Sequence, residues 1–248
     1  MDRVAGRFGR VEPRRRVRAF VAGLLAELPR KNCWTIAEHA GEANPDGMQH
    51  LLARAVWDAD AVRDDVRGYV VEQLADADAV LVVDETGDLK KGTATVGVQR
   101  QYTGTAGRTE NAQVTVWLTY ATAVGHGLID RALYLPRCWA DDPDRRDTAG
   151  VPAEVGFATK PALARQMIAR TLDAGVPARW VTGDETSDAV KVSSCGRWGW
   201  EGGVFGVVLA GGEAVVQAAE ESVEEVALGG GVVVAGVAAA VVVGSGAG

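Results

Sequence analysis

The feature that most constrains the fold is a five-residue apolar run, Ala79-Val80-Leu81-Val82-Val83, that stops on Asp84. It has no helical period, and its length and β-branched content argue for a strand buried on both faces. The chain then turns polar through Asp84-Glu85-Thr86-Gly87-Asp88 and reaches a basic pair, Lys90-Lys91, before Gly92. Open α/β sheets place their chemistry at the C-terminal edges of such strands. Asp84 is therefore the first candidate functional residue, and other residues are weighed by whether they can meet it.

Upstream, helical signals dominate. Val11–Leu28 carries Val17, Phe20, Val21, Leu24 and Leu25 on one stripe and is closed by Pro29. Thr35–Ala40 predicts a short second helix, and Asp46 a cap for a third that runs through Met48, Leu51, Leu52 and Val56. Asp60–Leu74 is a fourth amphipathic helix that leads to the buried strand. Downstream, Thr93–Tyr102, Ala112–Val124 and Leu128–Leu135 alternate as strands, with turns at 103–107 and Gly125-His126-Gly127. Pro136–Thr159 reads as a solvated polar loop, since the spacing of Asp141, Asp142, Asp144 and Asp147 is not that of a calcium loop. Pro161–Ala174 predicts a helix stopped by Gly175, followed by a parallel strand at Val176–Thr182. That strand ends Gly183-Asp184-Glu185, so a second buried strand delivers a second carboxylate.

The expected class is thus mixed α/β (α+β), with an N-terminal helical region over 1–75, a mixed sheet over 76–188, and a Gly/Val/Ala-rich irregular tail over 189–248. The 248 residues carry a net charge of −7, which by itself argues against a nucleic-acid partner. The charge is uneven, however: Arg3, Arg7, Arg10, Arg14, Arg15, Arg16, Arg18, Arg30 and Lys31 face only Asp2, Glu12 and Glu27 in the first 31 residues. Helix, turn, helix beside such an arm fits a DNA-reading module, with Arg14, Arg15, Arg16 and Arg18 as phosphate contacts. The competing reading is a solvated helical face on helices that simply pack together.

Cys33, Cys138 and Cys195 lack ligand or disulfide spacing, which makes a reducing cytoplasm the expected location. His39, His50 and His126 are equally scattered. No apolar leader opens the chain, and the best apolar core of the uncharged stretch Ala227–Gly248, Val232–Val243, is too short to span a membrane.

If the strands that end at Asp84 and Asp184 are adjacent and parallel, their carboxylates emerge at one end of the sheet. Two such charges repel unless a cation lies between them. Oxygen donors of this kind suit Mg²⁺ (or Mn²⁺) with water retained, and are the start of a two-metal phosphoryl-transfer site.

These residues also carry a family resemblance. The runs Val82-Val83-Asp84-Glu85-Thr86-Gly87-Asp88-Leu89-Lys90-Lys91-Gly92, Gln99-Arg100-Gln101-Tyr102 with Gly104 and Gly107, Asn111-Ala112-Gln113, and Val181-Thr182-Gly183-Asp184-Glu185 resemble insertion-sequence transposases of the DDE (Asp-Asp-Glu) type. The nearest branch is the insertion sequence 701 group, related to the insertion sequence 4 group, and the likeness covers roughly residues 1–185. It implies a ribonuclease-H-like catalytic core behind a DNA-binding region, with Asp84 and Asp184 as the first two metal-binding acids. It implies Lys90, Lys91 and Arg100 as DNA-phosphate contacts, and Mg²⁺-dependent cleavage of transposon ends followed by strand transfer. Double-stranded DNA is then the partner, and a homodimer the expected assembly.

After Glu185 the composition changes. From Glu201 to Gly248 every residue is Val, Ala, Gly or Glu except Phe205, Leu209, Gln217, Ser222, Leu228 and Ser245. Codons for the four dominant residues all begin with G, so the tail reads as a GC-rich gene translated out of frame from about residue 186. On that reading the third acid is missing and the copy is inactive. Glu220 stands 36 positions after Asp184, but coincidence is expected in a tail so rich in Glu. A rival function is a non-catalytic fragment that recognises transposon ends or inhibits an intact transposase; an unrelated Mg²⁺ phosphohydrolase leaves the basic arm unexplained.

Overall fold

A computed structural model describes residues 1–184 and 206–210, with Asp184 and 206–210 described by backbone alone. The chain divides into two compact units, Met1–Gly68 and Tyr69–Gly248.

The first unit is helical: α1 (Asp2–Ala5), α2 (Val11–Leu25), α3 (Cys33–His39), α4 (Asp46–Ala53) and the start of α5 (Ala59–Leu74). Ile36, Ala37 and Met48 form its core, with Ala19, Phe20, Leu28 and Cys33 packed around them. Helix α2 ends three residues before the expected Leu28 because Ala26 is already extended. The residue before a proline resists the helical region, so Leu28 is released to pack inward instead. A capping box starts α3: the Asn32 side chain accepts from the Trp34 and Thr35 amides while the Thr35 hydroxyl accepts from the Asn32 amide. Asp46 is not the cap that its position predicts. Pro45 holds the cap position, and the Asn44 side-chain Oδ1 accepts from the Asp46 amide at 3.1 Å. Gly23 lets α2 and α3 approach closely, since a Cβ there would stand 2.8 Å from Ile36 Cγ2.

The second unit is built on a six-stranded mixed sheet: β1 (Val80–Leu89), β2 (Gln99–Thr103), β3 (Arg108–Thr122), β4 (Gly125–Leu133), β5 (Trp180–Asp184) and β6 (Gly206–Ala210). β3 is central to the antiparallel part: β1 runs along one flank, while β2 and β4 share the other. The chain then crosses through α6 (Arg137–Ala140), α7 (Pro143–Ala149) and α8 (Lys160–Asp173) to β5, which is parallel to β1 and to β6.

Alternation sets the two faces. Leu81 and Val83 of β1 and Val116, Leu118 and Tyr120 of β3 are buried with Ala164, Met167, Ile168 and Leu172 of α8. The intervening residues, Asp84 and Trp117 among them, therefore stand on the opposite face. A bulge at Leu118/Thr119 leaves both Ile129 and Asp130 buried. Asp130 accepts two hydrogen bonds from Arg170 of α8, Nε at 2.5 Å and Nη2 at 2.7 Å. The Tyr120 hydroxyl donates to the Asp76 carbonyl and accepts from its amide, both at 3.1 Å, which pins the entry to β1. Burial pushes the Tyr120 phenol up from its ordinary value.

Four sequence expectations are corrected. β1 does not end at Asp84 but continues to Leu89, because β3 is long enough to pair every residue of it. The strand expected over 93–102 is only β2, since Gly97 adopts φ +77° and side chains of Asn111, Gln113 and Arg145 bind the carbonyls of Gly92, Val96 and Thr93. The β3–β4 turn is Ala123-Val124, and Gly127 lies within β4, where a Cβ would meet Val70 at 3.0 Å. The loop over 136–159 contains α6 and α7; Asp142 caps α7 and Gly150 closes it at φ +67°.

Candidate active site

The last described pair between the parallel strands is Val83 with Gly183. One residue further along each chain come Asp84 and Asp184, so the two acids hold neighbouring positions on adjacent strands. The adjacency and direction expected of these strands are both observed. Asp84 is exposed, and its Oδ1 accepts from the Glu85 amide at 2.7 Å. Across β3 its partner is Trp117, half-buried on the same face.

An exposed carboxylate supplies hard oxygen, the donor type that Mg²⁺ and Mn²⁺ take while keeping several waters. Asp84 fits such an ion, and its partner would be the acid of β5. Among the described residues no group of three or more His, Cys, Asp or Glu gathers around a common point. Glu220 lies outside the described residues, as does the whole stretch over 227–248.

The basic residues fall in two places. At the far end of β1, Lys90 is half-buried with Nζ 4.0 Å from Asp88, and Lys91 is exposed. Asn111 organises this turn: its side-chain amide donates to the carbonyls of Lys90 at 2.6 Å and Gly92 at 2.9 Å. Arg100 of β2 is exposed and is the register partner of Asn111. The three predicted cations therefore belong to one corner of the sheet, five residues of β1 beyond Asp84. Nothing in the sequence spacing marks Asn111 as a side chain that binds a turn 19 residues away.

In the helical unit, Arg14, Arg15 and Arg18 line a groove between α1 and α2, together with Met1, Ala5, Val11 and Val17. Arg14 Nε donates to the Phe8 carbonyl at 2.7 Å, Arg16 meets Glu42 at 3.4 Å, and Arg18 meets Asp2 at 2.5 Å. Arg15 is exposed. Exposed ion pairs contribute about 0–1 kcal/mol, so a phosphate can displace these partners at little cost.

A second ionic feature adjoins the acids and was not anticipated. Glu85 points to the helix-covered face, where Lys160, the first residue of α8, lies 2.9 Å from both carboxylate oxygens. Only Oε1 receives a well-directed hydrogen bond; Oε2 is buried without one. The side chains are only 10% and 11% exposed. One sequence signal was available: Lys160 precedes Pro161 at a helix start, where a cation opposes the helix dipole and so calls for a nearby anion.

A family model described as DDE superfamily endonuclease matches residues 3–186. The match runs from within α1 through α2, α3 and α4 to the strands that carry both acids, and the chain belongs to this family. Among curated proteins, the probable transposase for insertion sequence element IS701 of Microchaete diplosiphon is 37% identical over 94 residues. Those residues are 38% of this chain and 25% of that transposase, so the chain aligns with about a quarter of its relative's length. Among the described residues no helix is long and apolar enough to cross a membrane.

Proposed function

We propose that this chain is the DNA-binding region and catalytic core of a DDE transposase of the insertion sequence 701 type, with Asp84 and Asp184 as its first two metal-holding acids. The observation that carries the reading is the register of the parallel strands, which puts the two acids side by side. The sheet order supports it as well: four antiparallel strands, β1–β4, followed by a crossover to parallel strands agree with the ribonuclease-H-like core that the resemblance implies. A bound Mg²⁺ or Mn²⁺ would supply charge stabilisation at a scissile phosphodiester and lower the pKa of an attacking oxygen. The protein's own part is to hold the two acids on neighbouring strands and to bring DNA to them. Lys90, Lys91 and Arg100 are the phosphate contacts nearest the site along β1; Arg14, Arg15, Arg16 and Arg18 serve the helical region.

The compositional break after Glu185 supports a copy without the third acid, held to one ion and unable to cleave. The test uses the full chain with duplexes that carry the cognate terminal repeats. Expected are Mn²⁺ binding that Asp84→Asn abolishes, salt-dependent DNA binding, and no nicking. Metal-dependent nicking that disappears in Asp84→Ala would overturn the inactivity. Mn²⁺ binding unchanged in Asp84→Asn would overturn the acid site and leave the DNA-binding fragment as the better account.

A further inference from the structure

We propose that the buried Lys160–Glu85 ion pair is a positioning element for the acid site: it clamps the start of α8 to the residue after Asp84 and so fixes how Asp84 is presented beside β5. The inference rests on the reading of Asp84 as a metal-holding acid. It begins from an energetic mismatch. Burying an ammonium and a carboxylate together is no more stabilising than filling the same space with apolar side chains, and is often less so. Glu85 follows Leu81 and Val83 on the core face and sits opposite the buried Val116 of β3, so an apolar side chain would continue the pattern. Lys160 is likewise misplaced by local rules, as a cation at a helix N-terminus. Two locally unfavourable choices 75 residues apart, joined at 2.9 Å, point to a role other than stability.

The geometry supplies that role. The amide of Glu85 is the donor to Asp84 Oδ1 at 2.7 Å, so whatever fixes residue 85 fixes the rotamer of Asp84. Lys160 Nζ also lies 5.7 Å from the ring centroid of Tyr134, just past the end of β4, which gives the ammonium a second neighbour. At its other end α8 passes through Gly175 (φ +74°) into the chain that becomes β5. The pair thus ties one end of the crossover helix to the Asp84 strand while the other end feeds the Asp184 strand. Lys160 also neutralises the carboxylate adjacent to Asp84, which leaves the charge of the site to the two acids that would share the ion.

The experiment uses the full chain and three variants: Glu85→Met with Lys160→Met together, Lys160→Arg, and Asp84→Asn. The readouts are Mn²⁺ affinity, thermal unfolding, and hydrogen exchange at the amide of residue 85 corrected for its side chain. The apolar double variant is expected to keep the parent's unfolding temperature and to bind Mn²⁺ about 10-fold more weakly, the effect typical of residues that orient metal ligands. Exchange at residue 85 should rise about 10-fold while that at Val83 and Val116 is unchanged. Lys160→Arg should recover most of both losses. Unchanged exchange at residue 85 in the double variant overturns the proposal whatever the metal does. Unchanged Mn²⁺ affinity there, with binding lost in Asp84→Asn, overturns it and leaves the acid site standing. A parent that binds no Mn²⁺ removes the metal reading, and the exchange result alone then decides whether the pair orients Asp84.

Discussion

In the helical unit the candidate DNA-contacting arginines stand on helix surfaces and are held by exchangeable partners: a carbonyl for Arg14, Glu42 for Arg16, Asp2 for Arg18. In the sheet unit two ionic contacts lie under α8, where the Asp130 carboxylate is fully buried against Arg170 and Glu85 nearly so against Lys160. The first arrangement leaves charge available to a partner. The second spends charge on holding strands and helices at fixed offsets. A site that must place two carboxylates side by side needs the second kind of support, whereas contact along a phosphate backbone tolerates the first.

Arg170→Met should show the contrast most strongly. It removes both Arg170 hydrogen bonds from the buried Asp130 carboxylate, and breaking a buried ion pair by taking away one member costs about 3–5 kcal/mol. Urea unfolding measures it; a loss below about 1 kcal/mol, the range of exposed pairs, would erase the distinction between the units.

Glycine substitutions sharpen the same contrast at smaller scale. Gly87→Ala puts a Cβ 2.0 Å from Thr103 Oγ1, a side chain that is itself buried, and overpacking of this kind costs about 1–3 kcal/mol. Gly23→Ala meets Ile36 at 2.8 Å but gains about 1 kcal/mol of helix propensity, so its net effect should be the smaller of the two. Equal losses in thermal unfolding would show that the helical core is packed as tightly as the sheet.

The smallest expected effect is a pH dependence within the helical unit. Arg7 donates to Asp65 through Nε at 2.7 Å and Nη2 at 2.8 Å, and this hydrogen bond, ahead of the charge attraction, lowers the Asp65 pKa. A carboxyl with a folded-state pKa below its unfolded value adds stability above the unfolded value. That stability disappears as pH falls through the lowered one. Asp65→Asn should therefore lower stability slightly at neutral pH and flatten its decline on the acid side of about pH 4, where the carboxyl of the parent is protonated as well. A flattening confined to alkaline pH would contradict the assignment.

The acid-bearing strands were legible because a short apolar run followed by a carboxylate has few alternatives, and the crossover helix because Pro161 and Gly175 mark its ends. Asp84 and Asp184 could be paired in advance for the same reason: a helix between two buried strands predicts a parallel neighbour. The length of β1 was not legible. Glu85, Gly87 and Asp88 are poor strand formers in isolation, and only the reach of β3 holds them extended. Helices α6 and α7 were hidden by polarity, although Asp142-Pro143 and Gly150 are ordinary start and stop signals. The Lys160–Glu85 pair was hidden by distance, since no local pattern relates residues so far apart along the chain.

Parity along β1 has a consequence for how the Asp84-Glu85-Thr86-Gly87 signature is read. Positions 84 and 86 are exposed, whereas 85 meets the crossover helix and 87 abuts Thr103. On the proposed reading, Asp84 and the Glu85 that positions it answer to chemistry, whereas Gly87 answers to packing of the sheet. The two are free to decay at different rates: a descendant can lose residues 84 and 85 and keep Gly87 merely in order to fold. A search that weights all four letters equally will then recover retired copies alongside working ones, and the first two letters are those that tell them apart.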